Sequence, residues 1–189
     1  DYAHTPDALK TCLLNLREQF PNRKINLLFG CGGNRDQNKR PQMGKIADGL
    51  SDKIYLTDDN PRFEKPDKIR NEIKKGITNK KVIEISNRAE AISNAIQRLS
   101  TGEILLVAGK GHEKTQDLGK KKFNFSDKKI ILDAIRIKNS NLSNNIKLNI
   151  IKEISGNKKI SHLMFLKSAR INSKEIKKHD VFFALKGQK

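Results

Sequence analysis

Over the first 138 residues, short apolar runs alternate with longer stretches whose apolar residues recur every three or four positions. That alternation constrains the fold more than any other feature of the chain. The runs cover residues 25–29, 53–57, 82–85 and 103–108, the last being the most apolar. A run that is apolar at successive positions is buried on both faces, so these read as strands of a mainly parallel sheet flanked by helices, an α/β Rossmann-like fold. The intervening stretches supply the helices. Leu9, Cys12, Leu13, Leu16 and Phe20 fall at helical spacing, with Thr5 as N-cap and Pro6 at the first helical position. Further helices are expected near 42–50, around Ile69 and Ile73 with Gly76 closing, and along Ala91, Ile92, Ala95, Ile96 and Leu99. A hairpin is expected at 116–125, and Ser126-Asp127 can cap a last helix carrying Ile130, Ile131, Ala134, Ile135 and Ile137.

A parallel sheet binds ligands beyond the carboxyl ends of its strands. The unusual residues of this chain sit there. Gly30-Cys31-Gly32-Gly33-Asn34-Arg35-Asp36 follows the first strand, Asp58-Asp59-Asn60-Pro61-Arg62 the second, and Gly109-Lys110-Gly111-His112-Glu113 the last. The turns at the other edge, 21–23, 78–80 and 100–102, are ordinary polar connectors. The glycine-rich turn serves either turn chemistry or close approach of backbone N–H groups to an anion. It is not a nucleotide P-loop, because no G-x-x-x-x-G-K-[ST] occurs in the chain. Asn60-Pro61 restricts the backbone ahead of Arg62, and an arginine fork held in that way suits bidentate contact with a carboxylate. Asp58, Asp59 and Glu113 answer with negative charge, suited to an ammonium. A site of both signs recognises a zwitterion such as an amino acid. His4 and His112 read either as polar residues at strand ends or, for His4, as a contact to substrate or nucleotide.

Composition narrows the classes. The net charge of +18 points first to nucleic acid. However, residues 1–119 hold 21 Lys and Arg against 16 Asp and Glu, while residues 120–189 hold 18 against 5. The excess lies in the tail, mixed with Asn and Ile and with few aromatics to stack on bases, so no nucleic-acid partner is expected. Hydrophobic content is 35%, with no apolar run near the roughly 20 residues of a membrane span, and no signal peptide is expected. Cys12 and Cys31 are too few for a disulfide framework, lack neighbours at metal-ligand spacing, and suit a reducing cytoplasm. No metal site is expected.

Taken together, "DYAHTPDAL", "GCGGNRDQNKRPQMGKIA", "TDDNPRFEKP" and "VAGKGHE", in this order and spacing, resemble the C-terminal domain of the Mur ligases, in their MurE branch. The resemblance covers residues 1–138. It implies ATP-dependent, ADP-forming ligation of an amino acid to UDP-N-acetylmuramoyl-L-alanyl-D-glutamate through an acyl phosphate, in peptidoglycan synthesis. It implies that Arg35, Asp59, Asn60, Pro61, Arg62, Gly109 and Glu113 bind the incoming amino acid, and that His4 and Thr5 lie near the nucleotide. The Asp-Asn-Pro-Arg form is that of members selective for meso-diaminopimelate, and Arg62 suits the carboxylate that distinguishes this ligand from lysine. Asn34, where aspartate is frequent, and Gln37-Asn38 depart from the common pattern. ATP and Mg²⁺ are expected mainly on a central domain outside this sequence, so no catalytic residue is assigned here and the piece is expected to be inactive alone.

After Lys138 the texture changes. Residues 139–146 read as a polar linker, and about 40 residues follow, too few for an independent core. Within this stretch, 147–189, "INSKEIKKHDVFFALKGQK" resembles the start of the N-terminal domain of MurF, the next ligase of the family, with Asn172-Ser173-Lys174 in place of Asp-Ser-Arg. The chain is therefore expected to cross the junction of a fused MurE–MurF polypeptide. The alternatives are a basic extension, another amino-acid ligase of the superfamily (lysine-adding or folylpolyglutamate synthase-like), or a non-enzymatic basic module.

Overall fold

A computed structural model describes residues 1–79, 82–155, 168–170 and 180–182. Residues 1–135 and 136–189 form separate compact units.

The first unit opens with helix α1 (Pro6–Gln19), β1 (Ile25–Phe29), α2 (Lys39–Leu50), β2 (Lys53–Leu56) and α3 (Pro66–Lys74). There follow β3 (Val82–Glu84), α4 (Arg88–Arg98), β4 (Ile104–Val107) and the short strands β5 (Thr115–Asp117) and β6 (Lys122–Asn124). Helix α5 (Asp127–Ser155) closes the series. The start of α1 follows the sequence: Thr5 is extended, its Oγ1 accepts the Ala8 N–H at 3.3 Å, and Pro6 stands where a helix needs no donor. Asn87 caps α4 in the same way, through Glu90 N–H. Helix α2 begins three residues ahead of the expected Gln42, because Pro41 falls within the first turn and displaces no hydrogen bond.

The four long strands form one parallel sheet in the order β3-β2-β1-β4. Alternate side chains of each strand enter different layers. Leu27, Phe29, Ile54 and Leu56 pack with Leu9, Leu13, Met43, Ala47, Ile69 and Ile73, so α1, α2 and α3 cover one face. Leu28, Tyr55 and Val107 pack with Ala91, Ile92, Ala95, Ile96 and Ala134, so α4 and α5 cover the other. Phe29 and Leu28 are completely buried; each such side chain contributes about 1.5–3 kcal/mol. From β1 the chain moves outward to β2 and β3, then crosses to the far side of β1 for β4. The loops after β1 and β4 therefore diverge and leave a crevice between them.

The expected hairpin is present: β5 and β6 pair antiparallel, Gln116 facing Phe123. The stretch 139–146, read as a polar linker, is helical, because α5 continues through it to Ser155. Asn and Ser disfavour a helix interior by only about 0.5 kcal/mol each, which the helix already running can absorb. In the second unit, β7 (Ser168–Arg170) pairs parallel with β8 (Asp180–Phe182), the start of the apolar run. Asn172-Ser173-Lys174 and His179 lie outside the described residues.

Candidate functional site

The three glycine- and charge-rich turns meet because strand register and short backbone bonds leave them little choice. Thr57 N–H donates to Phe29 O at 3.0 Å, so β2 ends level with β1. A side chain on Gly30 would place its Cβ 2.2 Å from Thr57 O, and one on Gly33 would come within 1.9 Å of Pro61 O. The glycine turn is thus pressed backbone to backbone against residues 57–61, and Gly33 N–H donates to Asn60 O at 2.9 Å.

The hairpin fixes the same segment from the other side. Arg62 N–H donates to Asp117 O at 3.1 Å, Asp117 N–H to Asn60 Oδ1 at 2.9 Å, and Gln116 Nε2 to Asp59 O at 2.7 Å. Asn60 Oδ1 also accepts from Lys110 Nζ at 2.9 Å. Its Nδ2 donates to Glu113 Oε2 at 2.9 Å, and that oxygen accepts a further bond of 2.9 Å from Lys110 Nζ. The β2 and β4 turns are therefore joined through one closed polar triangle of Asn60, Lys110 and Glu113.

Between the turns lies a cleft of about 750 Å³. Arg35, Asp59, Asn60, Arg62, Gly109, Glu113, His4 and Thr5 all line it. Pro61 stands behind the rim, buried, its carbonyl accepting Glu64 N–H at 3.1 Å. Its effect on the cleft passes through Arg62, which adopts φ +52, a left-handed value uncommon for a residue with a side chain. Arg62 Nη1 donates to Gly33 O at 2.7 Å and Nε lies 4.0 Å from Asp117 Oδ2, while Nη2 has no partner among the described residues. Arg35 is exposed and also lines the cleft, its Cγ on the other side of Gly32 from Arg62.

The carboxylates divide. Asp58 is withdrawn from the cleft: it pairs with Arg70, which also binds Glu84 at 2.7 Å. Asp58 therefore does not answer a ligand in the cleft, contrary to the sequence expectation. Asp59 is 7% exposed and its side chain has no hydrogen bond or ion pair among the described residues. Burial pushes its carboxyl above the usual aspartate value, against the opposing pull of Arg88 and Lys110. Glu113 shifts the other way: although burial opposes it, the hydrogen bonds from Lys110 and Asn60 hold its carboxyl below the usual value.

Residues 1–111 match the Mur ligase, glutamate ligase domain family. The chain belongs to the Mur ligase family. Its Mur ligase domain is 50% identical over 132 residues to the UDP-N-acetylmuramoyl-L-alanyl-D-glutamate–2,6-diaminopimelate ligase of Chlorobaculum tepidum, covering 69% of this chain and 26% of that protein. Against the ligase of the same description from Rickettsia bellii the identity is 50% over 131 residues, covering 69% of this chain and 28% of the relative. A solved structure of such a ligase superposes with a TM-score of 0.69 at 39% identity, over 74% of this chain and 29% of that one. The chain thus spans little more than a quarter of the length of these relatives, and the parallel sheet with flanking helices is the fold of the Mur ligase C-terminal domain.

Three buried cations of the Mur ligase domain escaped the sequence reading. Lys110 is one. Arg40, fully buried, makes a two-point contact with Glu64 at 2.9 and 3.0 Å, reaches Glu72 at 2.6 Å and donates to Gly32 O at 3.1 Å. Arg88 binds both oxygens of Asp127 at 2.8 and 2.7 Å and donates to Ala108 O at 2.9 Å, directly before the Gly109 turn. Only Lys110 left a signal, the Lys-x-x-Glu spacing to Glu113. Lys39 was missed as well; it lines the cleft and holds His4 O at 2.8 Å. Cys31, under the glycine turn with its Sγ 3.6 Å from Met43 Sδ, has its thiol pushed up to about 12 by burial and is unreactive at neutral pH.

Proposed function

We propose that this chain supplies the amino-acid pocket of a cytoplasmic peptidoglycan-precursor ligase that joins meso-diaminopimelate to UDP-N-acetylmuramoyl-L-alanyl-D-glutamate. The observation that carries the proposal is the convergence, in one cleft, of Arg35 and Arg62 with the buried, unpaired Asp59 and with Glu113. Charges of both signs lining one cleft fit a ligand that carries both carboxylates and ammonium groups. Arg62 takes the distal carboxylate, which lysine lacks; a guanidinium left without that partner rejects lysine by several kcal/mol. Asp59 and Glu113 take ammonium, and Asn60 has one Nδ2 hydrogen free of the triangle to aid them.

In this reading ATP activates the dipeptide carboxylate as an acyl phosphate, the amine attacks it, and ADP and phosphate leave. His4 and Thr5, which line the cleft beside the α1 N-terminus, are in this reading the residues nearest the nucleotide. Among the described residues no group of three or more His, Cys, Asp or Glu fits a metal ion. The resemblance assigns Mg²⁺ and most of the ATP contacts to a central domain outside these 189 residues, and the piece alone is expected to be inactive; diaminopimelate-dependent ADP release from it overturns that part. Among the described residues no helix is long and apolar enough to cross a membrane.

The tail extends the proposal to a polypeptide fused with the D-alanyl-D-alanine-adding ligase, supported by the order of the two resemblances. An Asp-Gly-His-type continuation past Lys189 with a later P-loop supports fusion; a stop codon there removes it. The pocket itself is tested by calorimetry of the complete polypeptide with meso-diaminopimelate and with lysine. The expected preference for diaminopimelate is about a hundredfold or more, and equal affinity overturns the assignment.

A further inference from the structure

We propose that Gly32 is a specificity-determining residue of the cleft: the space left by its missing side chain holds the Arg62 guanidinium in the pose that meets a distal carboxylate. The inference rests on the amino-acid reading above and deepens it.

The glycines of the rim are not alike. A Cβ on Gly30 or Gly33 would strike backbone, as shown above, so those two serve packing. Gly109 has φ +110, where any side chain is strained, and Gly111 has φ +52 with Tyr2 backbone 3.0 Å from its Cβ position. Gly32 has neither constraint. Its backbone lies outside the left-handed region, and the nearest atom to its Cβ position is Arg62 Nη1, at 2.8 Å, with Asn60 O at 3.7 Å and Arg35 Cγ at 3.8 Å next. That first distance is well short of the roughly 3.5 Å that non-bonded atoms favour.

Either the loop or the guanidinium has to yield to a methyl group there. The loop is held on both sides: Gly32 O accepts from the buried Arg40 at 3.1 Å, and Gly33 N–H is bound to Asn60 O at 2.9 Å. The guanidinium is held on the rim by one short bond, Nη1 to Gly33 O at 2.7 Å, with only long contacts besides, Nη1 to Asn60 O at 3.5 Å and Nε to Asp117 Oδ2 at 4.0 Å, and is 25% exposed. It is the part that moves. A recognition group displaced by more than about 0.5 Å loses part of its fit to the ligand, so alanine at position 32 leaves the fold intact and weakens discrimination. The other atom near that Cβ position from a charged side chain belongs to Arg35, which puts Gly32 between the two arginines of the cleft.

The test is a double-mutant cycle on the complete polypeptide, with calorimetry against meso-diaminopimelate and L-lysine for the native protein, Gly32→Ala, Arg62→Ala and the double variant. The expected result for Gly32→Ala is a loss of about tenfold or more in the preference for diaminopimelate, with lysine affinity unchanged. In the Arg62→Ala background the glycine substitution then adds nothing. The unfolding midpoint of Gly32→Ala stays within about 4 °C of native. Retained preference, an equal loss without Arg62, or an unfolded Gly32→Ala protein each overturns the inference while leaving the pocket assignment standing. A native protein without preference removes the assignment, and the inference with it.

Discussion

Both edges of the sheet hold a buried aspartate, Asp48 at one and Asp59 at the other, and treat it in opposite ways. At the amino edge the carboxylates are closed off. Asp48 accepts from Thr78 N–H and Asn79 N–H, both at 3.1 Å, and Glu103 accepts from Ser100 N–H at 3.2 Å and Asn26 Nδ2 at 3.0 Å. Both carboxyls sit below their usual values: for Asp48 the hydrogen bonds outweigh burial, and for Glu103 the Ser100 N–H has the largest effect. At the carboxyl edge Asp59 is as buried as Asp48 but accepts no bond, and its carboxyl is raised by that burial. A carboxylate tied to the turn beside it stabilises the fold; one held unpaired under a cleft costs stability, and in the proposed reading that cost serves a ligand. The difference between these two aspartates is one of satisfaction rather than burial.

The comparison is most strongly challenged at Arg40, a closed site on the open edge. Arg40→Ala leaves Glu64 and Glu72 without their shared cation and is expected to destabilise by about 3–5 kcal/mol, read as a lower urea midpoint; a loss under about 1 kcal/mol makes the pair a mere surface contact. Arg62→Ala has the next largest effect, on binding rather than folding. Diaminopimelate affinity falls by about 2–3 kcal/mol in calorimetry while lysine affinity and the unfolding midpoint hold.

Glu103→Ala, on the closed edge, leaves the buried Asn26 amide without its acceptor and is expected to cost about 1–2 kcal/mol at pH 7. Because its folded carboxyl value is depressed, that stability is present above the usual glutamate value of about 4.3 and disappears as pH falls through the lower folded value. The variant therefore loses the acid limb of the native urea profile.

Asp59→Asn gives the smallest change in stability and the opposite sign. With its folded value raised, native Asp59 favours folding only while protonated, and its penalty grows as pH rises from about 3.9 through the folded value. The amide is thus expected to fold as well as the native protein at pH 7, or better by up to about 1 kcal/mol. It binds either ligand's ammonium more weakly. A clear destabilisation at pH 7 places Asp59 with Asp48 and erases the distinction between the edges.

Much of this was legible in the residue order. Local signals gave the elements: Thr5 and Pro6 mark the α1 start, and the alternation of Leu27, Leu28 and Phe29 between layers follows from strand geometry. The three turns were legible as one rim because a parallel sheet puts every such loop at the same edge. What escaped has a common physical cause. Arg40 meets Glu64 across 24 residues, Arg88 meets Asp127 across 39, and Lys110 meets Asn60 across 50. No local periodicity records a pairing at those separations. The same limit explains Asp58 and Asp59, which the charge pattern alone did not separate and which alternate backbone directions send to Arg70 and to the cleft.

The sequence by itself determined the α/β alternation, the parallel sheet, and which turns would carry charge, because those depend on periodicity and on residues within a few positions of each other. Tertiary structure alone decided which charges are satisfied and which remain open. It made Gly32 different from Gly30 and Gly33, and Asp59 different from Asp58, because desolvation and hydrogen-bond saturation depend on what the rest of the chain brings within about 3 Å.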